Sequence, residues 1–140
     1  MLSNNLNTNE VKNAAGTEVE FEHLEFPPGR ARVFSMIGEN PSLPHRLSIS
    51  HEETGTGNKR RRRSRIRFDK TKLSEVDSVT PITGSVYVVS DAPVGHLTTT
   101  ALIKDLVAEL NSFLSTTGAG TTVLFDGTGS GANVLIQGSL

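Results

Sequence analysis

No cysteine occurs in this 140-residue chain, which removes disulfide frameworks, thiolate metal sites and cysteine nucleophiles together. The redox compartment stays open. Tryptophan is absent and aromatics reach only 5%, so the core must be built mainly from aliphatic side chains. No apolar run approaches the roughly 18 residues of a membrane-spanning helix. Met1 to Glu10 is polar, with no basic segment leading into an apolar stretch, so neither a signal peptide nor a membrane partner is expected.

Basic residues are scarce outside one segment. Residues 1–44 hold three basic and six acidic side chains (net −3), and residues 73–140 hold one and six (net −5). Residues 45–72 hold ten and three (net +7), so a formal net charge of −1 conceals one strongly positive stretch. The length suits a single domain, 1–140, with its ends at 1–16 and 117–140 the least defined by pattern. No internal repeat is visible.

Catalytic and metal-binding patterns are thin. His23, His45, His51 and His96 lack a paired spacing, and the HEETG beginning at His51 has Gly55 where a second zinc ligand would stand. No metal or cofactor is expected. Glu18, Glu20 and Glu22 share one strand parity, which fits a solubilising face better than acid–base chemistry. The glycine-rich Gly127 to Gly131 lacks the lysine of a phosphate-binding loop and reads as a flexible connection; no GxSxG element is present. An enzyme is therefore not expected.

Alternation organises the rest. A strand is predicted from Thr17, with Val19 and Phe21 opposite the glutamates. Pro27, Pro28 and Gly29 break it, and a short strand over 31–37 follows. Leu47 and Ile49 alternate with Arg46, Ser48 and Ser50 in a strand over 46–51. Gly55 to Asn58 supplies a hairpin turn into a return strand starting near Lys59. On that strand Arg61, Arg63, Arg65 and Arg67 take one parity and Ile66 and Phe68 the other, so four guanidinium groups project from one face. Arg60 and Arg62 take the apolar parity near the hairpin end, within reach of solvent.

Residues 70–83 admit a short strand and a loop around Pro81, and 85–90 is a clearer strand carrying the only tyrosine, Tyr87. Past Pro93 and Gly95 the period changes. Leu102, Leu106, Leu110 and Phe113 recur at helical spacing, predicting an amphipathic helix of about 18 residues capped by Thr98, Thr99 or Thr100 and stopped before Gly118. The clusters 123–125 and 134–136 fit short strands or a last helical turn equally.

The run KRRRRSRIR from Lys59 to Arg67 asks for a polyanion or for bulk water. A solvated loop or a nuclear-localisation tract would not need alternation with Ile66 and Phe68, so nucleic acid, and RNA in particular, is the expected partner. Tyr87 shares its parity with Ser85 and suits stacking on an unpaired base, against the plain alternative of a surface tyrosine. A cellular RNA-binding module of ribosomal or OB-like type is the competing reading.

HRLSIS (45–50), NKRRRRSRIRF (58–68) and GSVYVVSDAPVGHLTTTALIKDLVAELNSFL (84–114) together resemble the coat proteins of single-stranded RNA bacteriophages, the levivirus-like group. The likeness runs over about residues 17–116. It implies an α+β fold in which an N-terminal β-hairpin and antiparallel sheet precede a long C-terminal helix. It further implies an intertwined homodimer with one continuous sheet, an icosahedral shell assembled in the host cytoplasm, and genomic RNA, as a stem-loop, on the inward sheet face, with repression of translation as a second role. By that resemblance Arg46, Ser48, Lys59, Arg61, Arg63, Arg65, Arg67, Ser85 and Tyr87 would meet RNA, while Leu102, Leu106, Leu110 and Phe113 would meet the partner subunit. An acidic strand and a basic strand in one chain could then point to different sides of a shell. Two features depart from the family: the arginine ribbon is denser, and a glycine-rich tail stands where the family carries a second helix.

Overall fold

The computed structural model describes residues 2–94 and 100–138, in two compact units. The first, drawn from residues 1–8 and 20–98, is a six-stranded sheet. Its strands are β1 (Asn5–Leu6), β2 (Phe21–Glu25), β3 (Arg30–Met36), β4 (His45–Thr54), β5 (Arg61–Leu73) and β6 (Pro81–Pro93). Every pairing is antiparallel and sequential, so the sheet is a meander with β6 on its edge.

The expected strand from Thr17 starts later, at Phe21. Residues 17–19 turn back instead on the chain before them: Val19 N donates to Val11 O at 2.9 Å. Asn13 closes that turn, its side-chain oxygen accepting from the amides of Ala15 and Thr17, with Gly16 at φ 79°. A local turn thus captures residues that parity alone would assign to the sheet.

One face of the sheet is apolar. Leu6 lies opposite Phe21, and His23, Phe34, Leu47, Phe68 and Val86 form a row across β2 to β6. Phe21 and Phe34 are wholly buried. Arg32 on this face lies over the Phe34 ring at 4.9 Å and the Phe26 ring at 5.3 Å, and it donates to Leu2 O at 2.8 Å and Asn4 Oδ1 at 2.6 Å. That guanidinium tethers the N-terminal segment to the sheet. Toward β6 the same face opens to solvent, with Ile66 and Val86 48% and 59% exposed.

The β4–β5 hairpin turns where the glycines stand. Gly55 has φ 84°, and a Cβ there would meet Lys59 O at 2.8 Å, so neither conformation nor space admits another residue. A 3-10 turn, Gly57–Lys59, completes the reversal and holds Lys59 just before β5. The expected loop around Pro81 is replaced by two 13-residue strands in full register. Their turn spans only 74–80, where the Asp77 carboxylate accepts from the amides of Val79 and Thr80. Pro81 opens the edge strand, a position where no ladder donor is missed.

The second unit, residues 9–19 and 99–140, carries the helices. Helix α1 spans 15 described residues, Thr100–Leu114; the proposed caps Thr98 and Thr99, like His96, lie outside the described residues. It ends before Gly118 because Ser115 donates back to Asn111 O and the chain turns extended into β7 (Thr116–Thr117), which pairs with β8 (Val123–Leu124). Helix α2 (Ser130–Gln137) follows, so the tail carries both a strand and a helix, and the second helix is present after all. The glycine run is more than a connection: a Cβ on Gly129 would meet Leu114 O at 2.5 Å, and one on Gly131 the Phe113 ring at 2.5 Å. These glycines let α2 approach the end of α1.

His45 makes the sheet unit sensitive to acid. Its ring meets Phe21 edge-on at 5.1 Å, and its Nδ1 is buried without a partner among the described residues. Burial, and then the Lys70 charge opposite it, lower its pKa from 6.5, with Glu39 opposing. The unfolded chain therefore takes the proton first. Stability from this residue is fully present above pH 6.5 and is lost as pH falls through the folded value. His45→Phe is expected to abolish the decline in urea midpoint that the unassembled protein shows as pH falls below 6.5; equal slopes in both proteins would refute this.

Candidate nucleic-acid interface

Because directly opposed residues of an antiparallel pair share a face, the register fixes what stands beside each arginine. On the face away from the apolar row, Ser48 of β4, Arg67 of β5 and Tyr87 of β6 form one rung. Ser50, Arg65 and Val89 form the next, then Glu52, Arg63 and Asp91, then Thr54, Arg61 and Pro93. In the other direction lies the rung Glu22, Ser35, Arg46, Asp69 and Ser85. Arg46, Ser48, Arg61, Arg63, Arg65, Arg67, Ser85 and Tyr87 therefore share one face. Lys59 sits in the turn, off this register.

An open concavity of about 470 Å³ runs over these rungs, lined by Ser50, Glu52, Arg63, Arg65, Arg67, Tyr87, Val89 and Asp91. Tyr87 is 60% exposed, its ring free to present a face. The Ser50 hydroxyl, the guanidinium groups of Arg63, Arg65 and Arg67 and the Tyr87 ring give the concavity donors for phosphate and a stacking surface.

Carboxylates that sequence reasoning passed over share this face. Asp91 Oδ1 accepts from Arg61 Nε at 2.8 Å, and Asp91 Oδ2 lies 3.5 Å from an Arg63 amino nitrogen. The Arg61 hydrogen bond above all holds the Asp91 carboxyl below its ordinary 3.8, against the effect of desolvation. Asp69 accepts from Arg67 Nε at 2.8 Å and from the Ser85 hydroxyl. Burial works to raise its pKa, but the Ser85 and Arg67 hydrogen bonds and the charges of Arg67 and Arg65 bring it below the usual value. Glu39 pairs with Arg46 at 3.0 Å. Arg65 makes no ion pair among the described residues.

The signal for these acids was in the parity: Asp69 continues 61, 63, 65 and 67, Asp91 continues Ser85 and Tyr87, and Glu52 continues Ser48 and Ser50. The idea that acidic and basic strands face opposite ways fails at Glu22, which shares the arginine face three strands away, roughly 14 Å at the usual strand spacing. On the other face Arg30, Arg60 and Arg62 converge on Glu53, with Arg62 at 2.8 Å. Among the described residues no group of three His, Asp or Glu side chains could hold a metal ion, and no helix is long and apolar enough to cross a membrane.

Arg61→Ser is expected to move the Asp91 titration up toward 3.8, as followed by carboxyl-carbon NMR; an unmoved titration would show that Arg61 is not its dominant partner.

No family model matches the sequence, and no curated protein does. Solved structures do match. A virus-like particle of Beihai levi-like virus 32 is 17% identical with a TM-score of 0.66, covering 87% of this chain and 88% of that one. The coat protein of bacteriophage EMS014 is 12% identical at a TM-score of 0.59, covering 93% and 92%. A virus-like particle of Beihai levi-like virus 21 is 9% identical at 0.58, covering 97% and 93%. A six-stranded antiparallel meander followed by two helices, matched over most of its length by these particles, gives this chain the coat-protein fold of the levi-like phages.

Proposed function

We propose that this chain is the coat protein of an RNA phage. The observation that carries the reading is the cross-strand register: it gathers Arg46, Arg61, Arg63, Arg65 and Arg67 with Ser48, Ser85 and Tyr87 on one face of a sheet that has the coat-protein fold. That face turns inward and binds genomic RNA through a stem-loop, phosphates on the arginines and an unpaired base on Tyr87. Holding such a hairpin also represses translation. The two units act as one subunit, found in the virion and assembled in the host cytoplasm.

What each unit leaves uncovered supports a homodimer. β6 is a 13-residue edge with no strand beyond it among the described residues, and a second copy pairing there makes one continuous sheet. Helix α1 buries none of its residues, leaving Leu102, Leu106 and Phe113 each more than half exposed, with Leu110 beside them. This stripe packs on the partner subunit in an intertwined dimer, and dimers close into an icosahedral shell. Patches of this kind rarely stay open on a monomer.

Expression of the chain alone in bacteria is expected to yield uniform shells containing RNA under electron microscopy. Only monomers or dimers on gel filtration, across assembly conditions, would sink the coat-protein reading and favour a cellular RNA-binding module. Replacing Arg63, Arg65 and Arg67 with serine is expected to weaken RNA binding and to flatten its salt dependence by roughly one unit of slope per lost phosphate contact, with the dimer still folded. Unchanged affinity in a folded variant would remove the arginine face from the proposal.

A further inference from the structure

The arginine face is less cationic than its sequence suggests, because much of it is already answered from within the chain. Asp91 stands directly opposite Arg63 and reaches diagonally to Arg61, engaging both; the Arg61 terminal nitrogen also donates to the Asp91 backbone oxygen at 3.3 Å. Asp69 follows two residues after Arg67 on the same strand; both its oxygens accept from Arg67 Nε, at 2.8 and 2.9 Å, and Oδ1 also lies 2.8 Å from an Arg67 amino nitrogen. Ser85 joins this pair, accepting from Arg67 at 3.2 Å and donating to Asp69. Arg65 alone of the ribbon stands without an ion pair among the described residues.

The Asp91 pairs do little for folding. The Arg63 and Asp91 side chains are 64% and 41% exposed, and ion pairs so open to water contribute almost nothing to stability. Nor are they forced by crowding, since isosteric amides would fit the same positions. What a carboxylate does there is chemical: Asp91 gives one oxygen to Arg61 and the other to Arg63, and Asp69 meets two nitrogens of Arg67, so each offers guanidinium donors the anionic oxygens a phosphodiester would offer. The two anions compete for the same donors.

We propose that Asp91 and Asp69 occupy the phosphate positions of the ribbon when RNA is absent, and so act as specificity determinants that weaken its grip on unstructured RNA. An incoming phosphate at Arg61, Arg63 or Arg67 must displace a carboxylate and then lie beside it, a repulsion that counts against every loosely held strand. Arg65 is the open entry point. An RNA that also stacks on Tyr87 and bonds Ser48 and Ser50 has contacts enough to complete the exchange; a bare polyanion does not. This rests on the RNA-binding reading above, and names what regulates that site.

The test is fluorescence anisotropy of labelled polyuridylate across a salt series, with wild type, Asp91→Asn, Asp69→Asn and Glu53→Gln, each checked for folding by circular dichroism. Asp91→Asn is expected to tighten binding about tenfold and to steepen the dependence of log affinity on log salt by about 0.7, one added phosphate contact on a single strand. Asp69→Asn should act in the same direction, and it keeps the idea testable should Asp91→Asn misfold. Glu53→Gln changes net charge equally and frees Arg30, Arg60 and Arg62 on the opposite face, so it should have little effect. Wild-type binding left unchanged by both aspartate variants, or matched gains from Glu53→Gln, would overturn the proposal while leaving the RNA face standing. No binding by any of the four proteins would bring down the RNA reading itself.

Discussion

The register of β5 between β4 and β6 is the constraint on which the rest depends. A slip of one residue would turn Arg61, Arg63, Arg65 and Arg67 onto the apolar face and expose Ile66 and Phe68 on the other. Two rows oppose such a slip: Leu47, Phe68 and Val86, and beside it Ile49, Ile66 and Val88. The turns at either end of the strand reinforce them. Gly55 admits only one tight path into β5, and Asp77 binds the backbone of the return into β6.

With the register set, the electrostatics follow. Arginines two apart on one strand stand about 6.6 Å from one another, and like charges so close repel. The interleaved acids relieve this: Asp91 reaches across from β6, Asp69 from further along β5, and Glu39 steadies Arg46. On the reverse face Glu53 does the same for three arginines at the hairpin end. The ribbon is therefore a mosaic of both signs rather than a uniform cationic field. Its cationic character is concentrated at Arg65.

The helical unit obeys a different rule, in which space rather than charge decides. Gly129 and Gly131 stand where any side chain would strike the end of α1, so the glycine-rich tail serves close packing as well as a change of direction. Gly138, left-handed at φ 64°, then ends α2. The apolar stripe of α1 stays exposed, as does the β6 end of the apolar sheet face. Each unit thus leaves hydrophobic surface open of the kind that assembly covers.

The sequence by itself determined the parity of the ribbon, the hairpin at Gly55, the strand carrying Tyr87 and the amphipathic stripe from Leu102 to Phe113. These are local properties: side-chain direction in a strand or helix follows from spacing along a few residues. Tertiary structure decided what lies beside each of them. That residues 17–19 pair with residues 11–13 rather than with β3, that Glu22 shares the arginine face, and that Asp91 answers Arg61 and Arg63 all depend on which segment is the neighbour and in what register. The close approach at Gly131 depends on Phe113, 18 positions away in the chain. Spacing along the chain carries direction, but partners distant in sequence are chosen by the joint burial of many residues, and only the folded sheet resolves that choice.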